Sequence, residues 1–194
     1  MKKTLAILFI VMSMTAYAQK YKLVQGSLKP LRGQTSIVTE FTYDNMQIGK
    51  DGKLSEADYI KRKKEEYNAK EAGRGEKWEA AWYADRKERF EPQFKELFER
   101  YAKMKPVASD AKYTLIFKTT KTEPGWNVAV MRQPARIDAE VWIVETADPS
   151  NLIAKIVITG APGRDAAGYD FDTGYRIQEA YAKSGKEVGK LITD

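Results

Sequence analysis

Neither cysteine nor histidine occurs in this chain of 194 residues. The first absence removes disulfides, thiolate nucleophiles and thiolate metal sites, so stability has to come from packing. The second removes the general base of Ser-His-Asp hydrolases, the usual zinc and copper ligand, and the side chain that titrates most readily near neutral pH. Long apolar runs are missing too. The most apolar stretch, Leu5 to Met14, is well short of the ~20 residues that a membrane-spanning helix requires. No Gly-Lys-Ser/Thr follows any glycine-rich segment, so there is no phosphate loop, and no motif implies a cofactor.

What is present begins with an export signal. Lys2 and Lys3 form a positive start, Leu5 to Met14 an apolar centre, and Ala16-Tyr17-Ala18 a small-x-small site that predicts cleavage before Gln19. No cysteine follows to carry a lipid. The expected mature protein, residues 19–194, is released into the periplasm or the medium without a membrane span. Its length suits one domain with a substantial core. The formal charge of +6 falls to +4 when Lys2 and Lys3 leave. From Glu56 to Lys105, fourteen basic residues are interleaved with twelve acidic ones, and Lys61-Arg62-Lys63-Lys64 runs straight into Glu65-Glu66. That pattern describes a solvated helix face with i,i+4 ion pairs rather than a basic nucleic-acid footprint.

Periodicity supplies the elements. Tyr21 to Leu31 reads as a short edge strand or an ordered lead-in, and Ser36 to Gln47 alternates as a strand. After the turn Gly49-Lys50-Asp51-Gly52, Ser55 and Asp58 are spaced to cap a helix running from about Glu56 to Ala72, with Gly73 suited to a left-handed cap. A second helix from about Glu76 carries Trp78, Trp82, Phe90, Phe94, Leu97, Phe98 and Tyr101 as a stripe directed at the core. Pro92 either kinks it or opens a new helix. Strands then follow at Tyr113 to Lys121, Trp126 to Met131, Ile137 to Thr146 and Leu152 to Thr159, the last two joined by Asp148-Pro149-Ser150-Asn151 as a hairpin. A final helix starts near Thr173, with Gly185 and Gly189 placed to let it lie close against the sheet. The predicted class is α+β, a mixed α/β layer. It has a largely antiparallel sheet of about five strands, a helical insertion at about 55–105 after the first strand, and a C-terminal helix packed on the sheet.

Candidate sites are few. Gln47 to Asp58 echoes the later half of an EF-hand loop but lacks two charged ligands, and a turn into a capped helix accounts for it. The glycine-rich stretch Gly160 to Asp172 gathers Arg164, Asp165, Tyr169, Asp170, Phe171 and Asp172, groups that suit a ligand, a hard cation or a partner. A structural role is the favoured reading of the same residues: Asp170, Asp172 or Thr173 can cap the last helix, with Tyr169 and Phe171 as an entry staple. Trp126, just after Pro124-Gly125, is expected first as a buried hairpin residue, with an exposed stacking aromatic as the alternative. Asp138 and Glu140 share a strand face with no catalytic partner identifiable from spacing. No catalytic residue and no metal ligand set is assigned.

The second half, from Tyr113-Thr114-Leu115-Ile116-Phe117 through Ala139-Glu140-Val141-Trp142-Ile143-Val144-Glu145-Thr146 to Arg176-Ile177-Gln178-Glu179-Ala180-Tyr181-Ala182-Lys183-Ser184-Gly185-Lys186, resembles exported Bacteroidetes-type proteins of unknown function. More loosely, it is similar to the α/β domain of periplasmic envelope-assembly factors, such as the N-terminal domain of TolB and the curli secretion lipoprotein. The resemblance implies a non-enzymatic scaffolding or partner-binding role at the cell envelope and transfers no catalytic residue. Three readings therefore stand. The first is an envelope interaction module using the charged helical arm or the Gly160 to Asp172 loop. The second is a small-ligand or glycan-binding protein using Trp126, Tyr169 and Phe171, and the third a hydrolase working through a carboxylate pair of unequal acidity.

Overall fold

In a computed structural model the described residues are 20–128, 131–164 and 172–194. The expected signal segment and most of the Gly160 to Asp172 loop therefore lie outside the described residues. The elements in chain order are β1 (Lys20–Gly26), β2 (Ser36–Thr42), β3 (Gln47–Ile48), β4 (Leu54–Ser55), α1 (Glu56–Asn68), α2 (Arg74–Asp85), a π-helical turn (Arg86–Phe90), α3 (Glu91–Ala102), β5 (Lys105–Val107), β6 (Tyr113–Glu123), β7 (Trp126–Val128), β8 (Met131–Gln133), β9 (Arg136–Glu145), β10 (Leu152–Pro162) and α4 (Thr173–Thr193).

The mixed α/β class is as expected, but the sheet is larger and less antiparallel. Eight strands form it, in the order β1-β10-β9-β6-β2-β5, with β3 and β4 attached beside β6. β1, β10, β9 and β6 are antiparallel neighbours, whereas β2 runs parallel to both β5 and β6. The parallel pairing changes the meaning of the helical block. Parallel neighbours cannot be joined by a tight turn and need a long crossover. Residues 56–102 are that crossover between β2 and the strands on either side of it, not an insertion. Pairs of two or three residues, such as β3, β4 and β5, carry too little alternation to be read as strands in advance.

Local chemistry explains most boundaries. Ser55 Oγ accepts from the Asp58 amide at 3.1 Å and caps α1. α1 stops at Asn68, short of Ala72, because the Asn68 side chain turns to the next helix: its Oδ1 accepts from the Gly75 amide at 2.7 Å and its Nδ2 donates to Glu76. Gly73, at φ 79°, makes the left-handed turn between the two helices. Pro92 lies in the first turn of α3, directly after the π turn, and the backbone stays helical without a break from α2 through both. The β9–β10 hairpin forms as predicted, with the Asn151 amide donating to the Asp148 carbonyl at 3.0 Å. β10 continues through Gly160 to Pro162, absorbing the start of the expected loop. A register shift between Ile158 and Ala161 accommodates Gly160, whose amide donates to Asp138 Oδ1 at 2.7 Å.

The main core lies on one side of the sheet, and on the other Val38, Thr114 and Val144 form a smaller buried row at one end. Tyr59 and Ile60 of α1, Trp82 of α2, Phe94 and Phe98 of α3, and Ile177 and Tyr181 of α4 join one buried cluster with Ile37, Leu115, Phe117, Ile137, Val141 and Ile156. The aromatic stripe thus serves as core: Phe94 packs edge-on to Phe117 at 4.9 Å, and Phe90 stacks on Tyr181 at 4.9 Å. The two helical glycines do not face the sheet. A Cβ on Gly185 would overlap the Phe94 carbonyl, and one on Gly189 would lie 2.8 Å from the Ala102 amide nitrogen, so they bring α4 against α3.

Candidate functional site

Two surfaces gather the residues capable of recognition. The first is the end of the sheet where β6 leaves and α4 begins. The Arg164 amide donates to the Arg176 carbonyl at 2.9 Å, the Gly163 amide to the Ala135 carbonyl at 2.8 Å, and Arg176 Nε to the Pro124 carbonyl at 3.2 Å. These bonds bring Arg164, the first turn of α4 and the turn before Trp126 to one rim. The Arg164 guanidinium lies over the Tyr175 ring, 4.7 Å from its centroid, and also donates to the Tyr175 hydroxyl. Trp126 is 44% exposed and Tyr175 40%, so the hairpin tryptophan is a surface aromatic. Beneath them Glu123 is buried, and burial pushes its carboxyl up, while amides of Gly125 and Lys50 pull it back.

Asp172 lies at the same rim with a structural task. Its Oδ1 caps α4 by accepting from the Tyr175 amide at 3.0 Å, and its Oδ2 pairs with Arg89 Nη1 at 2.6 Å. Arg89 Nε also meets Asp85 Oδ1 at 3.0 Å. Of the residues singled out in the sequence, Trp126, Arg164 and Asp172 therefore share this end, while Asp165, Tyr169, Asp170 and Phe171 lie outside the described residues. Tyr175, Arg176, Asp85 and Arg89 were not identified beforehand, because only the fold brings the end of α2 to the start of α4.

The second surface is the sheet face away from the helices. Residues opposite one another across the ladders share a face. One row across it reads Thr42, Lys118, Glu140, Val157 and Lys22, and the next reads Glu40, Ile116, Trp142, Lys155 and Gln25. None of these belongs to the buried cluster under the helices. Trp142 is the centre of the face. Lys118 Nζ lies 3.5 Å from the centroid of its ring and Lys155 Nζ 5.1 Å, and its Nε1 donates to Glu140 Oε2 at 2.8 Å. Lys155 pairs with Glu140 at 2.8 Å. Burial opposes it, yet the hydrogen bonds from Lys155 and Trp142 hold the Glu140 carboxyl below the usual carboxylate range. The parity of β9 already placed Trp142 with Asp138 and Glu140, opposite Ile137 and Ile143, and that was the available signal.

A groove of about 550 Å³ between α1 and α2 is lined by Ile60, Lys61, Lys64, Asn68, Glu76, Glu79 and Tyr83. Its charges are largely satisfied internally, with Lys64 bridging to Glu79 at 2.6 Å. Residues 47–58 form the β3–β4 hairpin and the capped start of α1, and among the described residues no cluster of three or more acidic side chains is arranged to hold a metal ion.

No protein-family model matches this chain, and no curated protein matches it. Among solved structures, a PelC dodecamer from Paraburkholderia phytofirmans aligns over 90% of this chain and 97% of its own, at 7% identity and a TM-score of 0.41.

Proposed function

We propose that this chain is a non-enzymatic, exported binding module of the cell envelope that docks a partner protein on the helix-free face of its sheet. The observation that supports this reading is the face itself. Among the described residues helices cover one side, and the other presents a half-buried tryptophan near Ile116 and Val157, flanked by Lys118 and Lys155. Tryptophan at the centre of a desolvated patch is a common energetic anchor of protein interfaces. Lys22, Lys118 and Lys155 outnumber Glu40 and Glu140 in the two rows, and Lys22 and Lys118 make no ion pair among the described residues. The partner is therefore an acidic protein surface. The helical arm is a poorer candidate than its charge pattern promised, because its aromatic side is committed to the core.

Lysine-directed crosslinking in intact cells, read by mass spectrometry, tests the proposal. Links from Lys118 and Lys155 to one envelope protein, lost in Trp142→Ala, are expected. Links confined to lysines of the helical block, or unchanged by Trp142→Ala, would overturn the proposed docking face.

A second reading, binding of a small ligand or glycan, is favoured by the exposure of Trp126 and Tyr175 together at the sheet end. Among the described residues the carboxylate-pair reading can draw on Asp85 and Asp172, but Arg89 bridges them, which describes a clasp between helices better than an acid and base facing a substrate.

A further inference from the structure

The turn that delivers Arg89 is not α-helical. Arg86–Phe90 is a π-helical turn between α2 and α3, an irregularity often retained where a side chain must be aimed. It directs Arg89 between two carboxylates on separate elements, Asp85 at the end of α2 and Asp172 at the cap of α4. Asp85 reaches α4 because position 174 is glycine: a Cβ there would overlap the Asp85 carboxylate. The Asp85 side chain is only 14% exposed in that notch. The charged groups facing it are Arg89 and Glu88 from its own helical run and Asp172 from α4.

We propose that Asp85, Arg89 and Asp172 form a clasp that fastens the first turn of α4 to the π-helical turn and loosens when Asp85 ionises. A neutral carboxyl occupies the Gly174 notch without burying a charge and leaves Arg89 to Asp172. An ionised one brings a poorly solvated charge beside a second carboxylate, with Arg89 shared between the two. Burial pushes the Asp85 carboxyl up to about 6, with Asp172 and Glu88 reinforcing the rise and Arg89 opposing it. The folded value lies above the ordinary 3.8, so closure takes up a proton. The stabilisation is complete below about pH 4 and is lost as pH rises through about 6. The first turn of α4 holds Tyr175 and Arg176, which carry Arg164 and the Pro124 turn, so the clasp sets how firmly the Trp126 rim is held.

Amide hydrogen exchange of Tyr175, whose N–H donates to Asp172, reads the clasp directly. Measured by NMR and corrected for the intrinsic pH dependence of exchange, its protection factor should fall between about pH 4 and pH 7, by up to roughly 100-fold. In Asp85→Asn, a neutral side chain of the same size, protection should stay high and flat across that range. A flat profile in the wild-type protein would overturn the proposal without recourse to any variant. A pH dependence that survives unchanged in Asp85→Asn would assign the titration to another group and overturn it equally.

Discussion

Gly185 of α4 rests against the backbone carbonyl of Phe94 in α3, so closely that there is no room for a single methyl group between them. The contact fixes the separation of the two helices, and with it the seating of Phe94 against Phe41 and Phe117. Gly185→Ala gains helix propensity in isolation but must push α3 and α4 apart. The expected outcome is a loss of about 1–3 kcal/mol in urea-induced unfolding, the cost of overpacking a close contact.

Tyr181 reaches from α4 through the core to Thr119 of β6, with 2.7 Å between their hydroxyl oxygens. Both residues are buried. Tyr181→Phe keeps the ring stacked on Phe90 but strands the Thr119 hydroxyl. A destabilisation of about 1–2 kcal/mol by denaturant titration is expected, and adding Thr119→Val should recover part of it.

Ser55 caps α1 through the Asp58 amide. Ser55→Ala should cost about 1 kcal/mol of stability in thermal or urea unfolding, while Ser55→Thr, which keeps both the acceptor for the Asp58 amide and the hydroxyl that donates to the Asp58 carboxylate, should cost less.

Glu140 links Lys155 to the Trp142 indole on the open face, and its carboxyl is held below the ordinary range. A lowered folded value means the stabilisation is present above the ordinary carboxylate pKa and lost as pH falls through the folded one. The Trp142 indole N–H resonance should therefore shift on acidification with a midpoint below that of an exposed glutamate. Glu140→Gln should remove the transition.

Trp126 differs from Trp142 in its surroundings, being 44% exposed in a two-stranded ribbon outside the main sheet. Trp126→Ala should leave the unfolding free energy within about 0.5 kcal/mol of wild type, and a larger change would show that the side chain packs as a hairpin core residue.

Much of the secondary structure was legible because it depends on neighbours in sequence. The strand alternation of residues 137–146, the turn at Asp148-Pro149-Ser150-Asn151 and the Ser55 cap are decided within a few residues, and the structure keeps all three. Stretches too short for alternation were missed, as β3, β4 and β5 show. The end of α1 was misplaced because Asn68 bonds forward to Gly75 and Glu76 rather than continuing its own helix, a choice that only the position of α2 makes available.

The candidate site divides along the same line. Residue types alone established that cysteine and histidine chemistry is excluded, that the aromatic stripe of residues 78–101 is apolar enough to be core, and that Trp126, Arg164 and Asp172 are chemically capable of recognition. The tertiary structure decided which of these meet. β2 pairs in parallel with β6, and that single pairing turns the helical block into a crossover stacked on one face and leaves Trp142 and its lysines on the other. The same stacking brings Asp85 to Gly174 and Arg89 to Asp172 across 83 residues of chain. Periodicity records which face of an element is apolar, but not which other element will cover it, because that depends on the combined shapes and pairings of the whole chain.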